Sequence, residues 1–529
     1  MNAMELLPAY LVCDTLLVIA VVLHLAIYLY YANKFTHWKK KGVPNPKPLP
    51  FLGNCLMPPS SEAGHQCLFI EDMYNSIPGA PCVGFYVFGR PAIVIKDPDL
   101  IRHVLVKDFN VFLNRNVAPS KEDTLGTQNL FALKGASWKY LRMKLSPSFT
   151  SGRIKKMFPL VAKCTAQLSD YLQEHLGQKQ TIEVKETTAK YATDVISTCA
   201  FGIESNSLKD PKAEFREFGR HVFHFTRYRT LEIMSLFFMP AVVKILNTSF
   251  FTKEATVFLR KVFWDVINHR EKNNISRDDF LELLIQLKNK GCVDAEDGEK
   301  PTTKSDVDST LFEFNGDNLV AQPALFFTAG FETNATTLSF TLYELSLQPD
   351  LQKRLRAEIR DIMKSTKGAP TYEDVFSMLY LNMVVSETLR KYPPLPLLDR
   401  VCLQEYQLPG TDVVLEKNTP VFISLLGLHR DPNHFPEPDR YDPERFSEDN
   451  KRHLKPCTYL PFGEGPHNCI GGRFGLMVVK TCLVHILAEF EVKPSKDTEI
   501  PLKMNTRSIV LSTLNGIHLE FVRSKVQAA

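Results

Sequence analysis

Excess charge of either sign is what this 529-residue sequence most clearly lacks: 63 Lys and Arg stand against 59 Asp and Glu, a net of +4. So close a balance excludes a dedicated nucleic-acid binder, and any electrostatic partner must be met by a local patch. Closely spaced cysteine is missing too. The 11 cysteines, an odd number, are scattered from Cys13 to Cys482 with no repeated interval. That excludes a disulfide framework and reads as reduced, mostly buried thiols of a chain facing the cytosol. A zinc centre needs three or four Cys/His ligands at short spacing, and beside Cys469 only His467 is on offer. No G-x-G-x-x-G follows a strand pattern, so the chain has no internal nicotinamide site. Internal repeats are absent as well.

What the chain does have is one cysteine in a telling place. Pro461-Phe462-Gly463-Glu464-Gly465-Pro466-His467-Asn468-Cys469-Ile470-Gly471-Gly472 runs directly into an apolar helical pattern from Phe474 to Phe490. A thiol at a helix N-terminus meets unpaired N–H groups and the positive end of the macrodipole, and a metal lowers its pKa further. Gly465 and Gly471 let the backbone approach a flat cofactor and aim N–H groups at sulfur. A single thiolate ringed by donors suits haem iron.

The second strong signal lies at the start. Thr15 to Ala32 is almost wholly apolar and, with Tyr10 to Val12, approaches the roughly twenty residues that span hydrocarbon, although Asp14 interrupts. Glu5 and Asp14 precede the run, and Lys34, Lys39, Lys40, Lys41 and Lys47 follow it, which argues for a cytosolic body and against a cleaved signal peptide. Tyr28, Tyr30, Tyr31 and Trp38 suit an interfacial belt. Pro44-Asn45-Pro46-Lys47-Pro48-Leu49-Pro50 then reads as a stiff, extended connection. The expected divisions are an anchor over 1–33, a basic and proline-rich hinge over 34–50, and a single body over 51–529.

Length alone suggests about three domains, but the texture of the body supports one large helical domain with a smaller β portion. A hairpin is expected from Cys82 to Phe88 and Ala92 to Lys96. Helical periodicity marks Ala136 to Leu145, Lys155 to Gln173, Lys185 to Phe201, Thr252 to Asn273 and Asn318 to Gln348. Gly291 to Asp317 is acidic and turn-rich and reads as a mobile surface loop. After Lys391 come Pro-rich coil and short strands, then the cysteine loop and terminal strand-like segments from Ser508 to Val522.

Several motifs sit in order along this frame. Within the long helical pattern, Ala329-Gly330-Phe331-Glu332-Thr333 puts two poor helix formers, Gly and Thr, mid-helix. A Thr hydroxyl can bond back one turn and loosen the helix. Pro323, upstream, predicts a bend or a later helix start. Glu387 and Arg390 share a helix face, Arg445 lies in Pro443-Glu444-Arg445-Phe446, and Trp138 stands one turn before Arg142.

Together these resemble the cytochrome P-450 superfamily, and the text around Trp138 is similar to its insect microsomal branch. The resemblance spans nearly the whole chain. It implies a mainly α cytochrome P-450 fold, a large helical domain with a small β-sheet portion, preceded by one transmembrane helix. It implies haem b (iron protoporphyrin IX), with Cys469 as iron ligand in the pattern Phe462-x-x-Gly465-x-x-x-Cys469-x-Gly471. Thr333 would act in oxygen activation and Glu332 in the proton relay, with Ala329 and Gly330 beside the haem face. Trp138, Arg142, Arg400 and His467 would meet the haem propionates, His467 standing where Arg is commoner. Glu387, Arg390 and Arg445 would form a buried bracing network. Lys134, Lys139, Lys144, Lys155 and Lys156 suggest a docking patch for an acidic electron donor. Phe326, Leu395 and Leu397 are candidate substrate contacts.

The activity implied is a membrane-bound monooxygenase that inserts one atom of O₂ into lipophilic small molecules: xenobiotics, insecticides, plant toxins or hormones. Electrons would come from NADPH through cytochrome P-450 reductase, with cytochrome b5 as a further donor, at the cytosolic face of the endoplasmic reticulum membrane. Two alternatives share the thiolate. One is a peroxide isomerase or dehydratase without reductase, against which Thr333 and Glu332 argue; the other is a haem-based ligand-binding or sensing protein.

Overall fold

Apolar periodicity and a few non-local strand pairings build the molecule. The computed structural model describes residues 3–55, 69–176, 181–210, 212–293 and 312–523, so most of the acidic stretch from Gly291 to Asp317 lies outside the described residues. The architecture is mostly helical with small sheets. Its axis is the 32-residue helix Gly316–Leu347, which packs most extensively along Val184–Ile196 and also meets the helix Gly472–Glu489. Apolar and small side chains round most of its circumference bury this helix over most of its length, as expected of a central element.

The helix starts seven residues before Pro323, so of the two outcomes expected at that proline the later start does not occur. Buried Gln322 stitches this turn to its neighbours. Its amide donates to the Gln128 (2.9 Å) and Asn318 (2.8 Å) carbonyls, and its Oε1 accepts from the Leu130 N–H (3.1 Å).

The expected hairpin forms as Cys82–Val87 and Arg90–Ile95. It extends into a four-stranded sheet because Arg90–Ile95 pairs in parallel with Pro420–Ser424, which pairs antiparallel with Leu397–Val401. Nothing local in the sequence announces that union of early and late segments. A second sheet joins Thr181–Glu183, His518–Arg523 and Phe490–Pro494. Only His518–Arg523 of the expected terminal segment is a strand.

The apolar helix Ala3–Lys34 projects its side chains from Leu16 to Tyr30 outward, and the span Asp14–Lys40 is long and apolar enough to cross a membrane. The belt expectation fails at Trp38. Its side chain is fully buried, its Nε1 donates to the Phe85 carbonyl (3.0 Å), and it lies on Gly84, where a Cβ would stand 2.5 Å from the indole. An indole with a partner for its N–H gains more by filling a core gap than by lying at an interface. The junction is therefore sewn to the body, with the Gly84 N–H also donating to the Pro44 carbonyl (2.9 Å).

Candidate functional site

The cysteine loop is shaped by two glycines with φ near +71°, Gly463 and Gly465. Gly465 presses on the π-turn His103–Lys107, where a Cβ would collide with the Leu105 carbonyl. Close backbone packing demands glycine there. The Cys469 N–H closes the loop on the Phe462 carbonyl (2.8 Å). Cys469 keeps a solvent-accessible face amid dense surrounding protein. Burial raises its pKa, while the Gly471 N–H and the Arg142 and Arg115 guanidiniums pull it down. A free thiol so placed becomes a thiolate when a cation arrives.

Ala329 is exposed in the otherwise buried middle of the central helix. One turn on, the Thr333 hydroxyl donates to the Ala329 carbonyl (2.6 Å), the back-bonding expected of a mid-helix threonine. The helix after the cysteine brings the two segments together, because a Cβ at Gly475 would stand 3.2 Å from Asn334 Oδ1. Leu395 is 42% exposed and Leu397 half-buried. Phe326 instead turns its ring onto Phe149 (5.2 Å) and Phe280 (4.5 Å). Gly330 faces Ile196, where a Cβ would meet Cδ1 at 2.7 Å, so it serves close helix packing. Phe327 and Phe331 are fully buried in an aromatic cluster with Phe218 and Phe223.

Glu332 is turned to a different neighbour. Its carboxylate lies 2.7 Å from Lys185 Nζ, which also donates to the Thr336 hydroxyl (2.8 Å). Both charges are largely buried, so each depends on the other. Lys185 carries no motif in the sequence and is visible only through this contact.

Three guanidiniums, Arg115, Arg142 and Arg400, gather around His467, and the first two also act on the thiol. Arg400 is 2% exposed, and burial lowers its pKa to about 9, with Arg115 adding repulsion and Asp399 opposing it. The Nε atoms of Arg400 and Arg115 are buried without a hydrogen-bond partner. Arg142 donates to Asn468 Oδ1 (2.8 Å). The indole of Trp138 lies against the His467 ring, centroids 3.7 Å apart. His467 Nε2 is 2.7 Å from the Leu113 carbonyl, and burial followed by the nearby arginines depresses its pKa to about 2. It is neutral and committed to the backbone. Arg115 escaped the sequence reading; it is the only cation between Lys107 and Lys121, a faint signal.

These observations test the expected cofactor. Among the described residues no group of three or more His, Cys, Asp and Glu side chains could hold a bare metal ion. A lone solvent-reached thiol, with buried guanidinium N–H groups of Arg115 and Arg400 left without a partner, fits an iron porphyrin bearing two carboxylates.

Away from the thiol, Glu387 and Arg390 form a fully buried bidentate pair (2.7 and 2.8 Å). Arg445 Nε stands 3.5 Å from Glu387, and the Asp442 N–H donates to the same carboxylate (2.8 Å). Arg390 also donates to the His429 and Pro438 carbonyls (2.9 and 2.8 Å), tying the helix Leu379–Lys391 to the coil before the cysteine loop. The basic patch is smaller than its sequence promised. Lys144 is buried with Nζ on the Gly291 carbonyl (2.8 Å), and Lys155 pairs with Glu373 (2.5 Å).

Comparison with known proteins agrees with this geometry. The family described as "Cytochrome P450" matches residues 43–520. The chain is 69% identical over 519 residues to cytochrome P450 6k1 of Blattella germanica, covering 98% of each protein. It is 39% identical over 510 residues to cytochrome P450 6l1 of the same insect, covering 96% of each. With cytochrome P450 6a2 of Drosophila melanogaster it shares 40% over 505 residues, 94% of this chain and 97% of that one.

Proposed function

The chain belongs to the cytochrome P450 family and is a P450 monooxygenase, and from that premise we propose that it oxygenates lipophilic small molecules at the cytosolic face of the endoplasmic reticulum. Xenobiotics, insecticides, plant toxins and hormones are the candidate substrates. Haem b is the proposed cofactor, and NADPH–cytochrome P-450 reductase the proposed electron source, with cytochrome b5 as a second donor. The observation that carries the reading is the solvent-reached Cys469 thiol beside Arg115 and Arg142, with Arg400 joining them around His467 two residues before it.

When bound, the haem iron supplies oxygen activation, favoured by electron density from its cysteine sulfur. The chain's own residues have separable tasks. The Gly471 N–H and nearby guanidiniums stabilise negative charge on the Cys469 Sγ. Arg115, Arg142 and Arg400 would hold the porphyrin carboxylates, and Trp138 with His467 would wall that edge. The Thr333 Oγ1 proton now rests on the Ala329 carbonyl; breaking that bond would free it to donate to a bound molecule. Glu332 Oε1, held by Lys185, can supply a proton only once that ion pair opens or water bridges from it. The lysines that follow the apolar span favour a cytosolic body.

The test is turnover. Full-length protein with reductase, NADPH and O₂ should yield oxygenated products from members of a broad lipophilic panel. No such product, in protein that retains haem, overturns the proposal.

A further inference from the structure

Asp399 is a buried carboxylate, 3% exposed, to which the tasks above give no role. It lies on strand Leu397–Val401, immediately before Arg400. Its Oδ2 accepts the Asn116 N–H at 2.5 Å, and its Oδ1 stands 3.8 Å from Arg115 Nη1. Its backbone carbonyl accepts from Arg400 Nη1 at 2.7 Å. One residue thus fixes the backbone at Asn116 and steadies two of the three guanidiniums. His467 directs its Nε2 to the Leu113 carbonyl and so does not compete for that edge.

Arg115, Arg142 and Arg400 supply positive charge here, Lys134 also faces Asp399, and Asp399 is the carboxylate that offsets Arg115 and Arg400. We propose that Asp399 is a positioning and charge-balancing residue of the haem site, holding Arg115 and Arg400 and setting, by its own negative charge, the potential that the iron experiences. This rests on the haem reading above. Removing that charge adds one unopposed cation in a water-poor region, which favours the more electron-rich iron(II) over iron(III). Exchanging Asp for Glu keeps the charge.

The experiment is a dye-coupled reductive titration of the full-length, haem-loaded protein, with dithionite as electron donor. Asp399→Asn, which retains an acceptor for the Asn116 N–H, should shift the iron(III)/iron(II) equilibrium toward iron(II) by roughly fivefold or more. Asp399→Glu should stay within about twofold of the parent, Arg115→Gln should move the opposite way, and the Asp399→Asn/Arg115→Gln pair should return near the parent. An unmoved Asp399→Asn equilibrium, or equal movement in the Asn and Glu variants, overturns the proposal. Should Asp399→Asn fail to fold with haem, an unmoved Arg115→Gln equilibrium overturns it equally. A parent protein that retains no haem overturns the cofactor reading instead.

Discussion

Lys185 and Glu332 show how a single buried pair ties stability to chemistry. Lys185→Met leaves a largely buried carboxylate with no cation, and should cost about 3 kcal/mol or more. Lys185→Met/Glu332→Gln should recover much of it, so a double-mutant cycle in urea unfolding reads the coupling directly. Additive losses would mean that the pair is not coupled. His429 makes a pH prediction. Burial first, then Arg390, depress its pKa to about 3, and its Nε2 accepts the Leu460 N–H (2.9 Å). The folded form resists a proton that the unfolded chain binds near 6.5, so the contribution is complete above pH 6.5 and shrinks as pH falls toward 3. At pH 5 the loss is about 2 kcal/mol for this group. Unfolding at pH 5 and 7.5 measures it, and His429→Gln should flatten the difference by that amount.

At the scale of elements, the helices that carry the site were legible because their apolar faces repeat at helical spacing. The long helix, the helix after Cys469 and the helix of Trp138 and Arg142 lie where the pattern put them, give or take a turn. The cysteine loop was legible from glycines around one thiol. Sheet membership was not, since the pairing of Ile93 with Val421 depends on chain closure between distant segments. Arg115 and Lys185 were equally hidden, because each acquires meaning only through a neighbour far away in sequence. The junction after the apolar helix Ala3–Lys34 yields its own prediction. A truncation beginning at residue 34 keeps Trp38 beneath the sheet and should fold and hold haem. One beginning at residue 39 removes that indole and should lose about 3–5 kcal/mol. Thermal unfolding of the two proteins distinguishes them, and equal melting temperatures would deny Trp38 a core role.

On the scale of the whole molecule, an apolar span precedes the body that carries the site. With the lysines on the body's side of the span, protease added to sealed microsomes should cleave the region after Pro50 without detergent. Protection until detergent is added would reverse the orientation.

The buried Trp38 also governs how the molecule stands. The apolar helix ends at Lys34, and by Trp38 the chain is already clamped. The mount is therefore a rigid bracket and not a leash, so helix tilt is passed on to the body as posture. Each helical residue advances the azimuth by about 100°. One alanine inserted after Lys34 should accordingly swivel the body about the membrane normal and bring a different flank to the lipid. Fluorescence quenching by spin-labelled lipid, read from single dyes placed around the body, should change its pattern, while the folded core keeps its melting temperature.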